Sequence, residues 1–230
     1  MTVCIIPARK NSKRIKNKNI INFYGKPLIF YSLNAAIKSK IFKKIYVSTD
    51  SKKICKLVKE FNPKVITVFR SKKNSTDKAP IIDVISEVVR KERIKDSVIF
   101  CIYPTAPFIK ITDLQNCAKK IKYFDHIITI SEFPSPIERG YNLDKNGLVK
   151  MINKKNQFIR SQDFNKAYYD TGTFAAYKKE IITSRSKFKK AKTGAIFLQR
   201  DVAIDINEKK DLLYAKKVFA ITKLRKWLKI

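Results

Sequence analysis

Apolar residues follow two alternating rhythms through the first half of the chain. Short, nearly unbroken runs read as strands: VCII at 3–6, KIYVSTD at 44–50, KVITVF at 64–69, DSVIFCIYPTAP at 96–107 and HIITIS at 126–131. Between them, apolar residues recur at three- and four-residue spacing. This pattern predicts amphipathic helices in PLIFYSLNAAIKSKIF (27–42), SKKICKLVKEF (51–61), APIIDVISEVVRKER (79–93) and ITDLQNCAKKIKYF (111–124). Pro27 suits the first turn of the first helix, Asp50 or Ser51 can cap the second, and Thr112 or Asp113 stands near the start of the fourth. Strand and helix thus alternate four times, with strands too apolar to face water on either side. The expected architecture is a parallel sheet covered on both faces by helices.

The rhythm breaks in FPSPIERGYNLDKNGLVKMI (133–152), where Asn146-Gly147 between short alternating segments is a hairpin signal. A hairpin inside a parallel α/β chain is an insertion. FAAYKKEIITS and AIFLQR then resume the pattern, DVAIDI (201–206) reads as a last strand, and EKKDLLYAKKVFAI (208–221) as a last helix. One domain over 1–230, carrying an arm, is the simplest organisation. No run of about 18 apolar residues predicts a membrane span, and MTVCIIPARK reads as a first strand rather than a signal peptide.

Cys4, Cys55, Cys101 and Cys117 lie in apolar or amphipathic runs without metal-ligand spacing, which predicts free thiols in a reducing cytoplasm. The single His126 has a structural reading by default. The net charge is +32, and only ten of the 51 basic residues are Arg. The lysines spread along the whole chain at polar helix positions, without aromatics interleaved. That distribution predicts a solvated surface. The rival reading from another class, a nucleic-acid-binding protein, would show steep salt dependence.

One basic stretch is different. In IIPARKNSKRIKNKN (5–19) a buried-looking strand stops at Pro7, and six of the next eleven residues are Lys or Arg; no carboxylate precedes Asp50. In open α/β sheets, ligands sit beyond the carboxyl ends of the strands, where this loop falls. It is neither a P-loop nor G-x-G-x-x-G, since the first glycine is Gly25. Arg9, Ser12, Lys13 and Lys18, with backbone amides, are the groups a polyphosphate needs. A triphosphate also calls for a divalent cation, and Mg²⁺ takes one or two carboxylates plus waters. Asp50, Asp170 and Asp205 are candidates, each also readable as a cap or turn residue; Asp205, within the apolar AIDIN, is the strongest.

These motifs resemble the CMP-sugar synthetases, cytidylyltransferases that activate acidic nine- and eight-carbon keto-sugars. IIPARKNSKRIKNKN with GKPLIFYSL, then VSTDSKKI, CIYPTAPF and IRSQDFNKAYYDTGTF, follow in that family's order across essentially the whole chain. The last two look most like the pseudaminic acid branch. The resemblance implies a Rossmann-like, mostly parallel α/β sheet flanked by helices, of the nucleotide-diphospho-sugar transferase type, with residues 133–158 as a dimerisation arm and hence a homodimer. It implies CTP and an acidic keto-sugar as substrates, Mg²⁺ as cofactor, and neither nucleic acid nor membrane as partner. Arg9, Ser12, Lys13, Lys18, Asn19 and Arg70 match nucleotide-binding positions. Tyr103, Arg160, Gln162, Asp163, Tyr168 and Asp170 match the sugar side. Asp205 and Asn207 match a metal pair, with Arg9, Lys18 and Asp205 carrying catalysis. Three departures stand out. Asn207 replaces the second aspartate of D-x-D, Pro80 and Ile81 stand where relatives place hydroxyls near the base, and Thr173 replaces a glutamine. Legionaminate, N-acetylneuraminate and Kdo remain alternative sugars, and Asn207 leaves a non-catalytic homologue as a further reading.

Overall fold

The computed structural model describes residues 2–228. The strands are β1 (Thr2–Pro7), the short β2 (Asn22–Phe23) and β3 (Lys26–Pro27), β4 (Lys44–Thr49), β5 (Ile66–Phe69), β6 (Val98–Ile102), β7 (His126–Glu132), the hairpin β8 (Tyr141–Leu143) and β9 (Val149–Met151), β10 (Tyr168–Lys178) and β11 (Thr193–Phe197). The helices are α1 (Ile29–Ser39), α2 (Lys52–Phe61), α3 (Ile81–Lys91), α4 (Ile111–Lys120), the short α5 (Lys179–Ile182) and α6 (Arg185–Lys189), and α7 (Lys209–Leu228). Seven strands form one sheet in the order β11-β7-β10-β6-β1-β4-β5. β10 alone runs against its neighbours, β6 and β7; the remaining pairings are parallel.

The apolar runs of the central strands β1, β4 and β6 are unbroken because these strands bury both faces. On β1, Cys4 and Ile6 join one core with Leu33, Val58, Phe100 and Leu114. Val3 and Ile5 point the other way, into a second core with Ile85, Val88, Ile99 and Tyr177. A third, smaller core gathers Ile15, Phe23, Leu28, Ile204, Ile206, Leu212 and Ala215. It presses the basic loop after β1 against the segment before α7, although the two lie almost 190 residues apart.

That third core explains a correction. DVAIDI is not a strand; the last one is β11, and residues 201–206 run irregularly. Ala203, Ile204 and Ile206 are buried by packing against the loop and α7, not by a ladder, so their alternation imitates a strand. Asp205 therefore lies on an exposed loop rather than inside an apolar strand. Ser51, not Asp50, caps α2, accepting from the Ile54 amide at 3.3 Å. Asp50 instead accepts from the Lys10 amide at 2.5 Å and ties the loop after β1 to the end of β4.

The expected hairpin is present. β8 and β9 pair antiparallel around Gly147, which sits at φ +83°, and the Asp144 carboxylate caps the turn through the Asn146 and Leu148 amides. All four thiols are free; Cys4, Cys101 and Cys117 are buried, and burial pushes Cys101 and Cys117 up to about 12. His126 stacks on Tyr177 at 4.5 Å, with burial lowering its pKa, as a structural histidine does. Among the described residues no helix is long and apolar enough to cross a membrane.

Candidate functional site

A cleft of about 480 Å³ opens above the carboxyl ends of β1, β5 and β6. In the sheet order, β1 and β6 are the neighbours from which the chain winds outward in both directions, so the cleft lies at the topological switch point. The loop after β1 supplies Arg9, Ser12, Arg14, Lys18 and Asn19. The segment after β5 supplies Arg70, Asn74, Thr76 and Asp77, and the turn after β6 supplies Tyr103, Pro104 and Thr105. The start of the antiparallel β10 adds Asp170 and Gly172, and the stretch before α7 adds Asp205 and Asn207.

Local chemistry holds the basic loop in place. Buried Asn19 donates through Nδ2 to the Arg9 carbonyl at 2.9 Å, closing the loop on itself. Asn17 takes a left-handed conformation, φ +55°, to start the short helical turn carrying Lys18 and Asn19. Lys18 Nζ donates to the Ile206 carbonyl at 2.6 Å and to Asn207 Oδ1 at 3.3 Å. Burial lowers the Lys18 pKa below its ordinary value, while Asp205 pulls it back up. Arg70 is only 9% exposed. Its guanidinium donates to the Ser48 carbonyl and hydroxyl and to the Asn74 carbonyl. Burial pulls it down to about 10, so it stays charged at neutral pH.

The opposite wall is set by a bulge. The β10–β7 register shifts between Asp170 and Ala175, where Gly172 takes φ +58° and donates its amide to Asp170 Oδ1 at 2.9 Å. Buried hydroxyls stand in for missing ladder bonds: Thr171 donates to Thr129 Oγ1 at 2.8 Å, and Thr129 to the Phe174 carbonyl at 3.0 Å. Thr173 belongs to this network, 3.0 Å from Thr171 Oγ1, and is buried in the sheet. Tyr103 is fixed through its backbone by Thr173 and Ser32. Burial raises the pKa of its hydroxyl, which stays protonated.

Nine of the expected site residues meet in this one cleft: Arg9, Ser12, Lys18, Asn19, Arg70, Tyr103, Asp170, Asp205 and Asn207. Lys13 instead pairs with Asp77 at 2.6 Å. Arg160, Gln162, Asp163 and Tyr168 do not reach the cleft. Arg160 and Asp163 pair with each other at 2.9 Å on an exposed turn, Gln162 lines a separate groove with Phe133 and Phe164, and Tyr168 packs edge-on against Phe197. The sequence reading missed Arg14, Asn74, Thr76, Asp77 and Thr105. Arg14 lay inside the basic stretch and could have been read with it; the others sit in short polar turns with no periodic signal. Ile81 lines the cleft with Ala79, Val84 and Thr76.

Asn207 has its own role in this geometry. Its Oδ1 accepts from Arg14 Nη2 at 2.8 Å and from Lys18, while its Nδ2 donates to the Asp205 carboxylate. The amide thus bridges the cations and the carboxylate. Among the described residues no group of three or more His, Cys, Asp or Glu side chains gathers as a metal cage. Asp205 and Asp170, both lining the cleft, suit a cation that draws most of its ligands from waters and substrate phosphates, as Mg²⁺ does.

The cytidylyltransferase family model matches residues 3–225. The chain is 34% identical to the pseudaminic acid cytidylyltransferase of Campylobacter jejuni over 225 residues, which cover 95% of this chain and 96% of that one. It is 26% identical to the CMP-N,N'-diacetyllegionaminic acid synthase of Legionella pneumophila, covering 95% and 96%. Among solved structures, a CMP:2-keto-3-deoxy-manno-octonic acid synthetase complexed with CTP superposes with a TM-score of 0.72 at 14% identity, covering 96% of this chain and 99% of that one, which shows a shared fold. With a family match over nearly its whole length, the chain belongs to the cytidylyltransferases, a family of nucleotidyltransferase enzymes.

Proposed function

We propose that the chain couples CTP to an acidic nine-carbon 2-keto sugar of the pseudaminic acid type, giving a CMP-sugar and pyrophosphate. The observation that carries this reading is the cleft itself, where a basic loop, the carboxylates of Asp77, Asp170 and Asp205, and Tyr103 gather at the switch point of the sheet. The likeness to the pseudaminic acid cytidylyltransferase supports the choice of sugar.

The anomeric hydroxyl of the sugar attacks the α-phosphorus of CTP, and the bond to the leaving pyrophosphate breaks. No protein nucleophile is required. Catalysis is positioning plus neutralisation of developing charge. Arg9, Ser12 and Lys18 grip the triphosphate, and Lys18, held beneath it by Ile206, faces the charge that builds on the leaving group. Lys13 reaches the phosphates by exchanging Asp77 for them. Arg70 and Asn19 hold the nucleotide. Asp205, with Asp170 beside it, would hold Mg²⁺, which would supply charge neutralisation across the phosphates; Asn207 orients Asp205.

The sugar half is completed by a second copy of the chain. The arm and its surroundings expose Ile137, Tyr141, Leu143, Leu148, Val149, Ile152 and Phe158, the last at 92%, a density of apolar surface that calls for a partner. In the dimer, the segment with Arg160, Gln162, Asp163 and Tyr168 faces the partner's cleft. Arg160 supplies the guanidinium that a sugar carboxylate pairs with.

Pyrophosphate release from CTP and Mg²⁺, measured across pseudaminate, legionaminate, N-acetylneuraminate and Kdo, tests the reading. Release with pseudaminate alone is expected. Release with another sugar replaces the sugar assignment, and silence with all four from folded protein overturns the activity.

A further inference from the structure

Glu87 is a carboxylate on an otherwise apolar face of α3. Its neighbours Val84, Ile85, Val88 and Val89 are buried, and Glu87 itself is 5% exposed. A charge in that position is costly unless donors surround it. Four do. The Ser71 amide donates at 2.8 Å, the Ser71 hydroxyl at 3.0 Å, Asn74 Nδ2 at 2.5 Å, and Lys91 Nζ, one turn along the helix, at 2.6 Å. Burial opposes the charge, but these donors hold the carboxyl down at about 2.

Every partner outside α3 lies in the segment that follows β5. Lys91 adds a bond from the same ammonium to the Phe69 carbonyl at 2.7 Å, at the end of that strand. Asn74, held by Glu87, accepts from Arg70 Nη1 at 3.4 Å, and Asn74 and Thr76 line the cleft while Glu87 does not. A hydrophobic side chain would fill the same space in α3. What the carboxylate adds is the fixed path of residues 69–75.

We propose that Glu87 is a positioning residue for the nucleotide half of the cleft: its carboxylate clamps Ser71 and Asn74 and so seats Arg70 and the adjoining wall. This rests on Arg70 being a nucleotide contact, as argued above. Glu87 touches no substrate. It acts by removing the freedom of the turn that carries the groups that do, so its loss falls on CTP binding and spares both sugar binding and turnover of the assembled complex.

The test is steady-state kinetics on the full chain with CTP and the sugar that supports turnover, for Glu87→Gln, Ser71→Ala and Arg70→Ala. Glu87→Gln keeps the shape and turns an amide against donors. It is expected to raise KM for CTP about tenfold, with kcat and the sugar KM within about twofold of wild type. Ser71→Ala removes one of the four donor bonds and is expected to raise KM for CTP about threefold, with the same split. A kcat loss or a matching rise in the sugar KM would mark Glu87 as a general structural anchor and overturn the proposal. An unchanged CTP KM in Glu87→Gln and Ser71→Ala, with a raised one in Arg70→Ala, also overturns it while leaving the nucleotide site standing. An unchanged CTP KM in Arg70→Ala would remove the nucleotide role of Arg70 and the proposal together. Should Glu87→Gln fail to fold, Ser71→Ala decides alone.

Discussion

The loop from Arg9 to Asn19 and the segment from Phe133 to Tyr168 are both polar-rich excursions from the same sheet, yet they are built differently. The first is folded back onto the body. Asn19 closes it, Asp50 ties its start to β4, and the third core buries Ile15 beneath it. The second leaves the body, places its own hairpin in solvent and exposes apolar side chains along it. One loop is fastened by contacts within the chain; the other leaves its apolar side chains uncovered by it. On the reading proposed above, a single chain holds the phosphate grip and a second copy completes the sugar pocket.

The largest effect expected from breaking this contrast is at Lys18. Its ammonium is fastened to the segment carrying Asp205 through both the Ile206 carbonyl and Asn207. Lys18→Ala should lower kcat by on the order of 100-fold or more, as removal of a charge contact made in the transition state does, with little change in the sugar KM. Stopped turnover with an intact fold by circular dichroism checks it; unchanged turnover would defeat the role given to Lys18.

The arm predicts a different signature. Phe158→Asp puts a charge on a side chain that nothing in the chain covers, so the isolated fold should be unaffected. Sedimentation should give a dimer for the wild type and a monomer for the variant. The sugar KM should rise on the order of tenfold while the CTP KM holds, since a buried aromatic is a common hot spot. A dimeric variant, or equal loss at both substrates, would show that the sugar pocket does not depend on the arm.

The difference between the regions also governs what could be read from the chain. β1, β4, β5, β6 and β7 were legible because strands buried on both faces are apolar throughout, and the hairpin because Asn-Gly demands a particular turn. The direction of β10 was not, because a tyrosine-rich apolar run says nothing about direction, and its antiparallel course is decided by β6 and β7, between which it inserts. DVAIDI misled because alternate burial in a small side core looks the same as burial in a sheet. The cleft residues on the basic loop stood out by charge density. Asn74, Thr76 and Glu87 did not, because hydrogen bonding across a turn leaves no period in the sequence. The role of Asn207 was only half legible: a missing carboxylate was visible, but not that its amide would join Arg14 and Lys18 to Asp205.

Acid should separate the clamp from the rest of the fold. The Glu87 carboxyl sits at about 2 in the folded chain against an ordinary 4.5. Its contribution to stability is fully present above about pH 4.5 and is lost as pH falls toward 2. Urea unfolding at neutral pH should find Glu87→Gln less stable than wild type by about 1–3 kcal/mol, from donors left without an acceptor. That gap should close progressively through the same acid window. A gap independent of pH would mean that the carboxylate's charge contributes nothing.

The smallest effects, and the sharpest comparison, come from two glycines. Gly147 at the arm's tip and Gly172 in the β10 bulge both take positive φ, +83° and +58°. An added Cβ at Gly147 meets nothing within 4 Å. At Gly172 it would lie 3.7 Å from Asp205 Oδ2, an ordinary contact. Each alanine substitution therefore costs mainly backbone strain, about 1 kcal/mol, and thermal melts should shift by similar amounts. The kinetics should not match. Gly147→Ala strains a turn remote from the cleft and should leave both substrates' constants unchanged. Gly172→Ala strains the turn whose amide holds Asp170 and whose backbone abuts Asp205. It should lower kcat several-fold, because small displacements of groups around the reacting atoms are costly. Equal stability loss with unequal rate loss would locate the chemistry on the β10 side of the cleft. Equal rates in the two variants would mean that the bulge serves the fold alone.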